Sequence, residues 1–163
     1  MAVIGFISLG CAKNQVDCER MMFRVQEAGH TVSSELPGCD VVVINTCGFI
    51  DSAKSEAIDN ILMAGAMKAE GKIGKILVTA ASPSAIRERL QRKCRRWTVC
   101  WARAATQRLS PPLKSCWKTR PVCNFGSIDT PEVESWRVLT TPKHYAYIKI
   151  AEGCDNKCAY CVI

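Results

Sequence analysis

Short apolar segments alternate with helical segments through the first half of the chain. Three segments read as buried β-strands rich in Val and Ile: residues 3–9, 40–45 and 75–79. Between them, residues 14–28 place apolar side chains at helical spacing, with Asn14 as the expected N-cap and Gly29 as the stop, and residues 51–68 predict a second helix with Leu62 on its apolar face. This order predicts parallel strands with right-handed crossovers. The predicted fold class is α/β, an open parallel sheet with flanking helices.

Residues 80–120 differ from the rest of the chain. They contain no glycine, three of the four tryptophans, eleven of the 22 basic residues and one of the 15 acidic residues. The remainder therefore has 11 basic and 14 acidic residues, so the net charge of +7 comes from this block. The block shows no sustained period of a helix or a strand, and we predict no element in it. Its charge is not evidence of evolved nucleic-acid binding, and no nucleic-acid partner is expected.

Eleven cysteines are many for a chain of 163 residues. The apolar start resembles a lipoprotein signal, but no basic residue precedes it, so we expect no export. No apolar run is long enough to cross a membrane, and no membrane partner is expected. A cytoplasmic protein is expected to keep its thiols reduced, which favours metal binding over disulfides.

Three cysteines near the end of the sequence carry the sharpest spacing. Cys154, Cys158 and Cys161 lie within eight residues, after a predicted strand at 145–150. A ferredoxin-type site needs a fourth cysteine, and zinc sites prefer paired Cys-x2-Cys units. The x3, x2 spacing with three ligands resembles the radical-SAM superfamily. That resemblance implies a 4Fe–4S cluster with one iron open for S-adenosylmethionine.

Cys11 and Cys47 each follow the end of a predicted parallel strand. The carboxyl ends of parallel strands share one edge of a sheet, where ligand crevices form. The two cysteines are therefore expected to face the same crevice. From the residues alone, two buried free thiols are an equal alternative.

Three stretches together resemble the methylthiotransferase family. They are residues 8–20 (Ser-Leu-Gly-Cys-Ala-Lys-Asn-Gln-Val-Asp-Cys-Glu-Arg), residues 45–51 (Asn-Thr-Cys-Gly-Phe-Ile-Asp) and residues 144–161 (His-Tyr-Ala-Tyr-Ile-Lys-Ile-Ala-Glu-Gly-Cys-Asp-Asn-Lys-Cys-Ala-Tyr-Cys). Within the family they look most like the members that modify an aspartate of small-subunit ribosomal protein twelve. The resemblance covers residues 1–79 and about 121–163.

The resemblance implies two 4Fe–4S clusters, S-adenosylmethionine, a ribosomal protein substrate and an electron donor such as flavodoxin or ferredoxin. The auxiliary cluster takes three N-terminal cysteines in this family, and Cys11 and Cys47 match two of them. No catalytic side chain is assigned, and three cysteines match no ligand position and are interpreted as structural thiols: Cys18, Cys39 and Cys123. The expected domains are 1–120, the N-terminal methylthiotransferase domain; 121–139, a linker; and 140–163, the start of the radical-SAM domain with the first strand of a truncated barrel.

The third auxiliary ligand of the family is missing at Ala81. The family has Thr-Gly-Cys after this strand, whereas residues 79–83 read Thr-Ala-Ala-Ser-Pro. Deleting one base from codons for Gly-Cys-Leu-Ala gives Ala-Ala-Ser-Pro. We therefore hypothesise that residues 80 to about 120 are out-of-frame translation, either as an artefact or as a genuine change.

The sequence also stops two residues after Cys161, before most of a radical-SAM barrel. We expect a fragment that is inactive by itself. The alternatives are a piece of a tRNA adenosine methylthiotransferase, a non-catalytic iron–sulfur binding module, and a nonfunctional product.

Overall fold

A six-stranded parallel sheet dominates the computed structural model, which describes residues 1–47, 50–80, 99–103, 123–124, 136–151 and 153–161. The strands lie in the order β2-β1-β3-β4-β5-β6, and every neighbouring pair is parallel. In chain order the elements are β1 (Val3–Ser8), α1 (Ala12–Glu27), β2 (Thr31–Ser33), β3 (Val41–Thr46), α2 (Asp51–Ala69), β4 (Lys75–Ala80), β5 (Val99–Arg103) and β6 (Cys123–Asn124). The predicted α/β class, an open parallel sheet with flanking helices, is confirmed.

The central strand β3 explains how the two helices are held. All six of its residues are buried. Because side chains alternate across a strand, Val41 and Val43 pack with α1 residues such as Met21, whereas Val42 and Ile44 pack with α2. The continuous apolar run Val41–Ile44 is therefore the signature of a strand covered on both faces.

The helix bounds differ from the prediction at their starts and on their faces. Helix α1 begins at Ala12 with Cys11 as its N-cap residue, so the predicted cap at Asn14 is wrong. The Asn14 side chain is buried and donates a hydrogen bond to the Leu9 carbonyl oxygen at 2.9 Å. The buried residues of helix α2 are small, apart from one isoleucine: Ala53, Ala57, Ile61, Ala64 and Gly65. Leu62, which was predicted on the apolar face, is exposed.

Strand β5 lies inside the block where no element was predicted, so that prediction is wrong for residues 99–103. The strand pairs with β4 in a register that joins Ile76 to Val99 and Ala80 to Arg103. Parallel pairing is made by backbone groups, and β4 offers an edge of N–H and C=O groups that need partners. A strand can therefore form there without a clear side-chain period. The out-of-frame hypothesis is a separate matter, and it stays a prediction.

The strand predicted at residues 145–150 is not formed. These residues pair with no strand in the described part of the chain, and their apolar side chains stay open, with Ile148 82% and Ile150 94% exposed. A strand needs a neighbour to satisfy its backbone groups, and alternation in sequence does not supply one. No described helix is long and apolar enough to span a membrane. The domain boundaries at 121 and 140 stay predictions.

Candidate functional site

Cys11 and Cys47 lie at the carboxyl edge of the sheet, after β1 and β3. Gly10 turns the chain there with φ of +96°, and a Cβ at Gly10 would lie 2.8 Å from the Cys47 Cβ atom. The Leu9 N–H donates to the Asn45 carbonyl oxygen at 2.9 Å, which extends the pairing of β1 and β3 up to this turn. The turn that carries Cys11 therefore passes directly against Cys47, and the structure brings the two cysteines to one edge.

The next strand ends in register with the same edge. Ala80, the last residue of β4, pairs with Thr46, which immediately precedes Cys47. The residue after Ala80 is Ala81, the position expected for a third cysteine ligand. Ala81 lies outside the described residues. The pairing of Thr46 with Ala80 nevertheless shows that β3 and β4 end at the same level, next to Cys47.

A buried network of amide and hydroxyl groups supports this edge from below. The Asn45 side chain donates from Nδ2 to the Asn14 carbonyl oxygen at 2.8 Å and accepts from the Thr79 hydroxyl at 3.0 Å. The Thr46 hydroxyl donates to the Thr79 carbonyl oxygen at 2.9 Å. Asn45, Thr46 and Thr79 have no exposed surface. The network ties α1, β3 and β4 together, and its sequence signal was the polar pair that ends the apolar run of β3.

A cavity of about 480 Å³ opens beside Cys11. Sheet-edge and α1 residues form part of its wall, and residues from the C-terminal part of the chain, Thr140 and Tyr147, form another part. The polar and thiol groups among its lining residues are Ser8, Cys11, Gln15, Cys18, Thr140 and Tyr147. A cavity with both polar and apolar lining residues, next to an exposed thiol, is a candidate site for ligand binding.

Two further thiols are buried and protonated. Burial raises the pKa of the Cys18 thiol to about 12, against a smaller opposing effect of its hydrogen bond with Ser8. Burial also raises the pKa of Cys39, whose Sγ lies 3.1 Å from the Glu35 carbonyl oxygen. Metal ligands are thiolates, so a neutral thiol at either position is a poor ligand. This agrees with the interpretation of both as structural thiols, while the Cys123 side chain lies outside the described residues.

The C-terminal trio is not gathered into a site. Cys154, Cys158 and Cys161 are all exposed, and the Cys161 N–H donates to the Cys158 carbonyl oxygen at 3.0 Å in a turn. Within the described residues, no group of three or more His, Cys, Asp or Glu side chains is placed to hold a metal ion. The donor chemistry fits an iron–sulfur cluster, since three free thiols lie within eight residues. The geometry does not present them as a formed ligand set.

Buried acids on α1 form a contact that the sequence reasoning missed. Asp17 and Glu19 are only 5% and 2% exposed, although carboxylates are almost never buried without partners. Their partners come from far along the chain, and include Lys149 and Arg137. The available signal was the pair of acids that flank Cys18, a residue of the helix face that packs on the sheet.

Comparison with known proteins gives the family. Residues 3–100, more than half of the chain, match the Uncharacterized protein family UPF0004. The chain belongs to this family. Among its relatives is the Ribosomal protein uS12 methylthiotransferase RimO of Bacteroides fragilis, which is 40% identical over 162 residues, 98% of this chain and 35% of the relative.

Two further relatives carry the same name. The protein of Syntrophomonas wolfei is 36% identical over 161 residues, and that of a Thermoanaerobacter species is 32% identical over 164 residues. The alignments cover 98% and 100% of this chain and 37% of each relative. The resemblance to the methylthiotransferases, an enzyme family, is therefore confirmed. The chain spans about a third of the length of the curated relatives it matches.

Proposed function

We propose that this chain is part of a radical-SAM methylthiotransferase that adds a methylthio group to an aspartate of ribosomal protein uS12. The observation that carries the proposal is the match along nearly the whole chain to relatives named for that activity. The meeting of Cys11 and Cys47 at one sheet edge supports it, because the resemblance assigns both to one cluster.

The cysteines are proposed to serve two 4Fe–4S clusters. Cys154, Cys158 and Cys161 would hold one. Cys11 and Cys47 would hold part of the other, whose third ligand is missing at Ala81 in this chain. When bound, the first cluster supplies the electron for reductive cleavage of S-adenosylmethionine. Thiolates at these positions suit iron because soft sulfur ligands select iron–sulfur clusters.

Neighbouring residues of the chain would position Cys11 and Cys47 and keep another thiol from competing with them for iron. Gly10 allows the backbone to approach Cys47, which a side chain at that position would prevent. The Asn45–Thr79 hydrogen bond fixes the ends of β3 and β4, so the ligands would start from a rigid edge. The Cys18 thiol, held neutral by burial, would not compete with Cys11 for iron.

We also propose that the isolated chain is inactive, because its three C-terminal cysteines are not arranged as a ligand set. These three cysteines are exposed and are not gathered among the described residues. Catalysis needs ligands held within a closed and rigid shell. The 163-residue chain would therefore need the remaining length of its relatives for turnover, together with an electron donor such as flavodoxin or ferredoxin in the cytoplasm.

Mass spectrometry of the substrate tests the proposal. The chain, and separately a full-length protein that contains it and carries a cysteine at position 81, is incubated anaerobically with uS12, S-adenosylmethionine, sulfide and a reductant. We expect a methylthio increment on one aspartate of uS12 with the full-length protein and none with the chain alone. A parallel reaction with tRNA should stay unmodified. Modification of tRNA adenosine instead of uS12 would transfer the proposal to the tRNA-modifying branch, and turnover by the chain alone would contradict its inactivity.

A further inference from the structure

We propose that Asp17 and Glu19 of α1 clamp residues 136–149, here called the docking segment, across the cavity beside Cys11. Lys149 Nζ donates to Asp17 Oδ1 at 2.6 Å, and the two side chains are 3% and 7% exposed. This pair joins the first helix of the sheet to a residue 132 positions later in the chain. The pair is shielded from water, so removal of one partner would leave the other charge buried without compensation.

Glu19 makes the second half of the clamp. Its Oε1 accepts from the Thr140 N–H at 2.8 Å and from the Thr140 hydroxyl at 2.7 Å, and its Oε2 lies 3.6 Å from Arg137 Nη1. The Val138 N–H donates to the Glu19 carbonyl oxygen at 3.2 Å. One buried residue therefore fixes three successive parts of the docking segment.

The charges on the two sides are complementary. Both acids lie on α1, and two cations that reach them, Arg137 and Lys149, lie in the docking segment. Each end of the segment is fixed by one pair, while Gln15 Nε2 donates to the Thr140 hydroxyl at 2.9 Å between them. Arg137 also donates from Nη2 to the Tyr147 carbonyl oxygen at 2.5 Å, which closes the segment on itself.

The clamp supplies part of the wall of the cavity. Thr140 and Tyr147 of the docking segment line the same space as Cys11 and Cys18 of the sheet side. Release of the segment would remove that wall and open a path towards Cys18, which is 1% exposed in the clamped state. The neutral Cys18 thiol is thus a natural reporter of the clamp.

The clamp also sets where the C-terminal trio begins. Lys149 precedes Cys154 by five residues, and five residues span at most about 18 Å. Anchoring Lys149 on α1 therefore keeps Cys154 within that distance of the Lys149 backbone, and so near the helix that Cys11 caps. Asp17 and Glu19 are then positioning residues for the two cysteine groups. This last consequence rests on the proposed function, whereas the clamp itself does not.

Hydrogen exchange and thiol labelling of the full chain test the clamp without iron or S-adenosylmethionine. In the wild type, we expect slow exchange of the Val138 and Thr140 amides and slow labelling of Cys18 by iodoacetamide. Lys149→Met removes the cation at the end of the segment and should speed both by roughly tenfold or more. Lys149→Arg keeps a cation and should restore protection to near the wild-type level. Glu70→Gln, in the exposed Glu70–Lys72 pair, should change neither rate.

Cys39 distinguishes local release from general unfolding. It is buried on the opposite face of the sheet, in the cluster with Val42 and Ile44, and should stay protected in every variant. Faster labelling of Cys18 alone in Lys149→Met supports the clamp. Unchanged exchange at Val138 and Thr140, or equal acceleration of Cys18 and Cys39, would overturn it. Because the assay contains no cofactor, a failed clamp and a failed methylthiotransferase assay are separate results.

Discussion

Gly10 is the residue on which the sheet edge depends most directly. Its φ of +96° disfavours any side chain, and a Cβ there would lie 2.8 Å from the Cys47 Cβ atom. Gly29 has a similar φ of +80°, but a Cβ there would meet nothing within 4 Å. Gly29→Ala should therefore cost about 1 kcal/mol from backbone strain alone, and Gly10→Ala at least about 1 kcal/mol more. Urea denaturation under reducing conditions measures the difference; equal losses would show that the contact with Cys47 carries no strain.

The buried thiol of Cys18 gives the fold a pH dependence. Its pKa rises from 9.0 to about 12 on burial, so the unfolded chain releases the proton first as pH increases. The stability from this group is fully present below pH 9.0 and is lost as pH rises towards about 12, by up to about 1.4 kcal/mol per pH unit. Cys39, with its pKa also raised, adds a loss in the same direction.

Cys18→Ala should make the decline above pH 9.0 shallower than in the wild type. Denaturation midpoints at about pH 8 and about pH 10.5 measure it, because only the higher value lies between the two pKa values. Cys18→Ala also removes buried volume, so the comparison is of the two slopes and not of the absolute stabilities. Parallel slopes in wild type and variant would contradict burial of a neutral Cys18 thiol.

At the scale of elements, the amide and hydroxyl network beneath the sheet edge is the main polar support. Asn45→Ala would leave the buried Thr79 hydroxyl without this acceptor and would remove the hydrogen bond that the Asn45 side chain donates to the Asn14 carbonyl oxygen. The expected loss is about 2–4 kcal/mol. Asn60→Ala is a matched control, since the Asn60 side chain donates to the Glu56 carbonyl oxygen of its own helix at an exposed site, and it should stay within about 0.5 kcal/mol of the wild type. Equal effects of the two substitutions in thermal or urea unfolding would show that the network contributes little.

The strands could be predicted where side-chain hydrophobicity decides the structure. Val41–Ile44 is buried on both faces, so its apolar run is sufficient to identify β3. Strand β5 was not predicted, and a strand was wrongly predicted at residues 145–150; both errors have the same cause. Strand pairing depends on an available neighbouring edge, and β4 offers one to residues 99–103, whereas the described chain offers none to residues 145–150. The start of α1 was missed because Cys11 caps it without a side-chain hydrogen bond.

At the scale of the whole molecule, topology brings together what the sequence separates. The rule that parallel strands end at one edge was enough to predict that Cys11 and Cys47 lie at the same edge, since it needs only strand order. The clamp between Asp17 and Lys149 was not predictable in that way. It depends on where residues 136–149 cross α1, and no local period or spacing records that path. The C-terminal trio shows the converse: its spacing is clear, yet the described residues do not gather it.

We propose that Cys154, Cys158 and Cys161 supply one complete set of iron ligands, and that Cys11 and Cys47 supply an incomplete set with its gap at Ala81. Iron counting and EPR after anaerobic reconstitution of the chain and its Ala81→Cys variant test this most directly. We expect about four iron atoms in the wild type and about eight in Ala81→Cys. Ala69→Cys, which adds a thiol at the far end of α2, should match the wild type. Equal iron content in the wild type and Ala81→Cys, or no iron–sulfur signal in either, would contradict this assignment of iron ligands.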